Sequence, residues 1–191
     1  MSEPPRTPLP DRIERSGMLL ARWQKDDAPA LHRLILDNLD HLRPFMAWTA
    51  GEPRTSEEHH ALIAGWTREW AAGGSLVVGI RQHDTWIGSA GLHRRGGPDE
   101  LEIGYWVDHR HLRQGVATAA GRALTDLAFT VPGIEVVSIV HDLANLASAA
   151  VPARLGFRRL ADRDSLAPQG PAGTGRDGVW VTSREEWVAA R

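Results

Sequence analysis

The sequence predicts one α+β domain with a mixed, mostly antiparallel central sheet flanked by helices. Two observations predict this class. Residues 75–107 contain three strand-like segments joined by short polar turns, which is typical of an antiparallel meander. On both sides of this meander, segments with helical periodicity are mixed with strands in no regular βαβ order. At 191 residues the chain is long enough for one substantial core and short for two.

Composition excludes several classes of protein. The chain is 42% hydrophobic and 24% charged, as is ordinary for a globular protein, and its net charge of −2 argues against a nucleic-acid binder. The absence of a long apolar run argues against a membrane protein, and the absence of a signal segment makes the cytoplasm the expected location. Zero cysteines exclude disulfides, thiolate metal sites and a cysteine nucleophile. The nine histidines lack metal-site spacing, so we expect no metal.

The first half of the chain gives clear local signals. Residues 1–15 are proline-rich and polar and predict a flexible tail, which leaves residues 16–191 as the domain. After a short strand at 18–23, apolar residues recur with helical spacing between Leu31 and Leu39. Thr55-x-x-Glu58 has the form of a capping box before a second helix. The meander then supplies strands at 75–81, 85–93 and 100–107.

The second half alternates helices and strands. Val116 to Val131 has a helical apolar stripe that Pro132-Gly133 ends. Residues 135–140 form a nearly continuous apolar run, as expected of a central strand covered on both faces. The remaining predictions are a helix at 145–155, strands at 156–160 and 179–181, a mobile loop at 162–178, and a final helix ending near Trp187.

A small-residue turn, Arg113 to Thr118, lies between the strand at 100–107 and the following helix. Its backbone N–H groups have no partner within the helix and point toward ligands at the positive end of the helix dipole, so the turn predicts a cradle for phosphate or pyrophosphate. The alternative is that the turn uses Gly115 only for its backbone freedom.

A second group of motifs follows. Asn145-x-x-Ser148 and Leu155-Gly156-Phe157 come after an apolar strand, and together with the cradle this order resembles the GNAT acetyltransferases. The strand Leu101 to Trp106 and the segment Leu42 to Met46 resemble the RimJ/RimL branch, which acetylates N-terminal amines of ribosomal proteins and various small amines. The resemblance extends from about Met18 to Trp187.

The resemblance implies the GNAT fold and acetyl-CoA as the donor. It implies direct attack by a primary amine, either a protein N-terminal α-amine or a small-molecule amine, through a tetrahedral intermediate. It further implies a set of donor-binding residues: Trp106, Val107, Arg113, Gln114, Gly115, Val116, Ala117, Thr118, Asn145 and Ser148. The chain departs from the family at Leu112, before the cradle, and at Pro152, where many relatives have a tyrosine acid.

Candidate catalytic residues follow from the needs of amine attack. Strand alternation places Glu102 on the face opposite Leu101, where it could take the amine's proton through a water; the alternative is a solvated strand glutamate. Ser148 is expected near the sulfur as proton donor or thiolate partner, and its alternative is a packing residue. Asn145 is either a ligand of the pantetheine amide or only a helix N-cap. The edge near Gly104–Trp106 could supply oxyanion donors.

Candidate acceptor residues lie in the segments that flank the acceptor side in relatives. The irregular apolar segment Phe45, Met46 and Trp48 is typical of a cleft lining. His93 and Glu102 complete the expected acceptor-binding set. Expected partners are a small-molecule amine or a peptide N-terminus, with neither nucleic acid nor membrane. A homodimer is one expected form, because dimers are common in such enzymes.

Two other functions remain compatible with part of the pattern. A CoA-binding module without catalysis, such as a sensor or assembly component, would share the cradle but would need neither Glu102 nor Ser148. A phosphate-binding nucleotide protein fits less well, because no Gly-Lys-Ser/Thr follows the turn.

Overall fold

The computed structural model describes residues 8–15 and 17–190. It confirms the predicted α+β class. The elements in chain order are β1 (Arg12–Arg15), β2 (Met18–Arg22), α1 (Ala28–Leu36), α2 (Leu39–Leu42), α3 (Ser56–Ala71), β3 (Leu76–Gln82), β4 (Thr85–His93), β5 (Glu100–Val107), α4 (Val116–Ala128), β6 (Val136–Asp142), α5 (Leu146–Leu155), β7 (Arg158–Arg159), β8 (Arg163–Asp164), β9 (Arg176–Ser183) and α6 (Arg184–Ala189).

One mixed sheet joins these strands in the order β1-β2-β3-β4-β5-β6-β9-β7, with β8 paired to β9. Within the described residues, β5 and β6 are the parallel pair, and the other pairs are antiparallel. Helix α4 makes the crossover that a parallel pair requires. Strands β5 and β6 are paired only from Glu100↔Val136 to Ile103↔Ile139, although both continue beyond that point. The sheet is therefore open in its middle.

Two hydrophobic clusters cover the two faces of the sheet. Helices α4, α5 and α6 enclose the larger cluster, to which β5 contributes Leu101 and Ile103. Helices α1 and α3 enclose the smaller one, in which Trp23 is buried and Trp106 packs at the edge. The side chains of β5 thus alternate between the two clusters, as the sequence predicted. Strand β6 lies between β5 and β9, which confirms its predicted central position.

Helix α3 begins and ends where the sequence signals placed it, whereas α4 ends at Ala128, before the stop predicted at Pro132-Gly133. Thr55 Oγ1 accepts a hydrogen bond from the Glu58 N–H at 3.2 Å, and the Glu58 carboxylate accepts one from the Thr55 N–H at 2.6 Å. This confirms the predicted capping box at the start of α3. Gly73, with a φ of +73°, follows the end of the same helix.

The N-terminal segment differs from the predicted tail in its second half. Residues 1–7 of that tail lie outside the described residues. Strand β1 pairs with β2, Leu9 is buried, and the Trp70 indole N–H donates to the Leu9 carbonyl at 2.7 Å. The ordered fold therefore begins before residue 16, because main-chain pairing holds a segment whose polar composition suggested none.

The predicted loop at 162–178 contains more structure than its composition indicated. It includes β8 and the beginning of β9, while the strand predicted at 156–160 is reduced to β7. The Thr174 N–H donates to Asp142 Oδ2 at 2.7 Å, and the Ala172 N–H donates to the Pro44 carbonyl at 2.9 Å. These long-range bonds fix the segment over the open part of the sheet.

Candidate active site

A cleft of about 810 Å³ occupies the opening between β5 and β6. Gly104, Tyr105 and Trp106 line it from β5, and Val140 and Asp142 line it from β6. No strand pairs with the β6-facing edge of β5 beyond Ile103 in the described structure, so peptide groups of that edge are available to a ligand. The cleft therefore combines exposed backbone donors with side chains from both faces of the sheet.

Glu102 lies in this cleft, on the face predicted for it. Its side chain is 16% exposed, and Oε1 accepts a hydrogen bond from Arg95 Nη1 at 2.7 Å. His93 is its cross-strand partner on β4. The ion pair occupies one oxygen of the Glu102 carboxylate and leaves the second oxygen available to a water or an amine.

His93 presents a neutral imidazole to the same part of the cleft. Burial, and to a smaller extent the positive charge of Arg95, lowers the pKa of His93 to about 4. The ring lies against the backbone of Gly104, where an added Cβ would stand 3.3 Å from Nε2. At neutral pH this side chain can therefore accept a hydrogen bond without adding positive charge to the site.

Ser148 lines the cleft from the first turn of α5, where two other residues hold it. The Tyr105 hydroxyl lies 3.1 Å from Ser148 Oγ and donates to the Ser148 carbonyl, also at 3.1 Å. Asn145 Oδ1 accepts the Ser148 N–H at 3.1 Å, so Asn145 is the N-cap of α5. Asn145 also lines the cleft, and its amide N–H groups make no hydrogen bond within the described residues. It can therefore cap the helix and donate to a ligand at the same time.

A second cavity, of about 520 Å³, lies at the N-terminus of α4. Gly115 caps this helix in the left-handed conformation, and Arg113 also has a positive φ of +60°. Four arginines contribute to the lining: Arg15, Arg113, Arg122 and Arg154. Guanidinium groups around free helical N–H groups form a binding site suited to phosphate oxygens.

The predicted acceptor segment forms one wall of the main cleft. Phe45, Met46 and Trp48 all line it, and the Trp48 and Trp106 rings lie 6.3 Å apart between centroids. Ser165 to Gln169 of the fixed loop face the cleft from another side. The acceptor side thus combines an apolar wall with polar groups that include Glu102 and His93.

Comparison with known proteins identifies the family. The family model described as an acetyltransferase (GNAT) domain matches residues 18–158. The chain belongs to the GNAT acetyltransferase family. It is an acyltransferase with the GNAT fold, which confirms the resemblance stated from the sequence.

The relatives of this GNAT domain include proteins named RimJ, RimL and ribosomal N-acetyltransferase. A Bacillus subtilis (strain 168) protein named "Putative ribosomal N-acetyltransferase YdaF" is 28% identical over 156 residues, which are 81% of this chain and 79% of that protein. RimL, a ribosomal L7/L12 α-N-protein acetyltransferase in complex with coenzyme A, shares the fold with a TM-score of 0.82 at 20% identity, over 91% of this chain and 98% of that chain. Mycobacterium smegmatis RimJ, in complex with CoA-disulfide, has a TM-score of 0.76 at 22% identity, over 88% and 83% of the two chains.

The predicted donor-binding residues of the GNAT domain divide into two groups. Six of them line a cavity with their side chains or Cα atoms: Trp106, Asn145 and Ser148 in the cleft, and Arg113, Gly115 and Thr118 in the cradle. The other four do not, because Val107 and Val116 are buried in the core, Ala117 packs against it, and the Gln114 amide donates to the Arg110 carbonyl. For the two valines and Ala117 only the peptide groups are available to a ligand, whereas the exposed Gln114 also keeps its amide oxygen.

Sequence reasoning missed Tyr105 and three of the cradle arginines. Strand alternation puts Tyr105 on the same face of β5 as Leu101, and it does pack against the core there, but the opening of the sheet also lets its hydroxyl reach α5. Arg15, Arg122 and Arg154 come from β1, α4 and α5. No local pattern indicates that three such distant positions meet.

Two kinds of feature are absent from the described residues. Within residues 8–15 and 17–190, no group of three or more histidine or acidic side chains is arranged to hold a metal ion. No helix in the same residues is long and apolar enough to cross a membrane.

His93→Gln should change how stability depends on pH. The unfolded histidine titrates near 6.5, and its folded pKa is about 4. Between those values the unfolded chain binds a proton that the native chain does not, so the free energy of unfolding falls as the pH drops through this window. Urea unfolding from about pH 7 to about pH 4.5 should show a smaller decrease for His93→Gln than for the unmodified chain. His83→Gln, in the exposed β3–β4 turn, is the control. If His93→Gln lost as much stability over this pH range as the unmodified chain, the lowered pKa of His93 would be contradicted.

Proposed function

We propose that this chain transfers the acetyl group of acetyl-CoA to a primary amine by direct attack through a tetrahedral intermediate. The observation behind the proposal is the opening between β5 and β6, which has Glu102 on its acceptor side and Ser148 on α5. A thioester lying in this opening would expose its carbonyl carbon to an amine that enters beside Glu102.

The donor end of the site suits CoA. The cradle offers helical N–H groups and four arginines to the phosphates. Asn145 has amide N–H groups that can reach a pantetheine carbonyl. Solved structures with this fold include complexes with coenzyme A and, for the microcin C7 self-immunity acetyltransferase MccE, with acetyl-CoA and AMP.

Amine activation falls to Glu102. A protein α-amine has a pKa of roughly 7.7–8.0 and a lysine amine one of about 10.4, so at neutral pH both arrive mainly as ammonium ions. Glu102 receives one ammonium proton through a water, and neutral His93 accepts a hydrogen bond from the same group. The nitrogen then bonds to the carbonyl carbon while N–H groups of the β5 edge near Gly104–Trp106 stabilise the oxyanion.

Collapse of the intermediate breaks the C–S bond and leaves the electron pair on sulfur. Ser148 Oγ donates a hydrogen bond to the departing thiolate. The attacking nitrogen loses its second proton, which balances the one that the sulfur gains when CoA leaves as a thiol.

The acceptor is a peptide N-terminus or a small amine with an apolar neighbouring group. The apolar wall formed by Phe45, Met46 and Trp48 favours such a group beside the amine. Relatives named for ribosomal N-acetylation make protein N-termini the first acceptors to test. The homodimer and the cytoplasmic location stay predictions.

Acetyl transfer is tested directly with the purified chain. Acetyl-CoA is supplied with a panel of N-terminal peptides and small amines, thiol release is followed with a thiol-reactive dye, and products are checked by mass spectrometry for one added acetyl group. We expect thiol release that depends on the amine. Binding of acetyl-CoA without release for any amine would instead support the non-catalytic CoA-binding module.

Glu102→Gln should lower kcat/KM for the amine by about 100-fold near pH 7, with the KM for acetyl-CoA nearly unchanged. The deficit should shrink above about pH 9, because an α-amine is already neutral there. Glu100→Gln is the matched control, since Glu100 lines the same cleft but accepts a hydrogen bond from Ser138 at 2.5 Å. A deficit that is constant with pH would remove Glu102 as the base.

Arg154→Ala should raise the KM for acetyl-CoA by roughly tenfold, because a charge-assisted hydrogen bond to phosphate is lost. S-acetylpantetheine has no nucleotide phosphates, and its KM should not change. The matched control is Arg12→Ala, which removes an exposed arginine outside the cradle. An equal loss with both donors would show that Arg154 does not bind the phosphates.

A further inference from the structure

Helix α5 contains a proline within its span. Pro152 lies inside α5 (Leu146–Leu155). In an α-helix the N–H of residue 152 would donate to the carbonyl of residue 148, four positions earlier. Proline has no N–H, so the Ser148 carbonyl loses the partner that a regular helix would provide.

Tyr105 replaces that partner from another element. Its hydroxyl donates to the Ser148 carbonyl at 3.1 Å and lies 3.1 Å from Ser148 Oγ. The tyrosine is partly buried among core residues of β5, where the ring packs against the larger hydrophobic cluster. One hydroxyl therefore contacts both the main chain and the side chain of Ser148.

We infer that Tyr105 is the positioning residue for Ser148, and that it directs the serine hydroxyl toward the departing sulfur. This inference rests on the role proposed above for Ser148. Pro152 does not position Ser148 itself; it only leaves the Ser148 carbonyl without a helical donor, and this carbonyl accepts the Tyr105 O–H. Tyr105 itself does not touch the reacting atoms.

The two hydroxyls have two hydrogen-bonding arrangements. When Tyr105 donates to the Ser148 carbonyl, its oxygen can accept the Ser148 O–H, and the serine proton points away from the cleft. When Tyr105 donates to Ser148 Oγ, the serine O–H is free to donate to a thiolate. The change needs only rotation of two O–H bonds, and no proton is transferred between the residues.

The surroundings of Tyr105 keep it a donor. Burial raises the pKa of the Tyr105 phenol to about 12, although the hydrogen bond to Ser148 acts in the opposite direction. The phenol therefore stays protonated at every pH at which an amine acceptor would be used.

Tyr105→Phe keeps the ring and removes only the hydroxyl. We expect kcat to fall by about 5- to 10-fold, the worth of one hydrogen bond, with little change in the KM for either substrate. In a chain that already carries Ser148→Ala, Tyr105→Phe should not lower kcat further, because the two residues act as one unit. Thermal unfolding should show a lower midpoint for Tyr105→Phe, since the Ser148 carbonyl is then unsatisfied.

Pro152→Ala separates positioning from simple stabilisation. The new N–H at residue 152 can donate to the Ser148 carbonyl without Tyr105. In Tyr105→Phe/Pro152→Ala the thermal midpoint should therefore recover, while kcat stays low. In Pro152→Ala alone, kcat should remain close to that of the unmodified chain, because the Tyr105 hydroxyl still reaches Ser148 Oγ.

Three results would overturn the inference. These are an unchanged kcat in Tyr105→Phe, a kcat that recovers together with stability in the double variant, and full additivity with Ser148→Ala. Failure of the proposed function is a different result: the unmodified chain would release no thiol with any amine, or Ser148→Ala would be as active as the unmodified chain.

Discussion

The separation of β5 from β6 beyond Ile103 is the constraint on which the rest of the site depends. A regular sheet would pair the last four residues of β5 and leave no room for a ligand. Because β6 turns away, peptide groups of β5 face a cleft, and side chains from both faces of the sheet reach it. Glu102 enters from the face covered by α1 and α3, and Tyr105 from the face covered by α4 and α5. Chemistry at this opening can thus use residues that an unbroken sheet would keep apart.

Distant segments close the acceptor side by main-chain contacts. The loop after β8 bonds to the Pro44 carbonyl through Ala172 and to Asp142, at the end of β6, through Thr174. The apolar wall at residues 45–48 and the loop that faces it are therefore connected to each other and to the strand that opens the cleft. Displacement of the loop would move both the wall and the cleft edge, so acceptor shape and cleft width are physically coupled.

The sequence predicted what depends on local pattern. The α+β class, the meander, the capping box at Thr55 and the small-residue turn before α4 follow from spacing and small residues, and the structure has each of them. The sequence did not predict that the loop after residue 162 is well ordered. Its Gly and Pro content suggests mobility, but long-range hydrogen bonds fix it. The cradle arginines were missed for the same reason: Arg15, Arg122 and Arg154 meet only through the tertiary fold.

The two sides of the cleft differ in how firmly their polar groups are held. Ser148 is bound by the Asn145 cap and by the partly buried Tyr105 hydroxyl, and losing either would leave polar groups of α5 unsatisfied. Glu102 is held by Arg95, whose side chain is 61% exposed, and such an ion pair is worth at most about 1 kcal/mol. An incoming ammonium ion can therefore compete with Arg95 for the carboxylate at small cost. The polar groups around Ser148 are therefore firmly held, whereas the Glu102 carboxylate can adjust to the amine that enters.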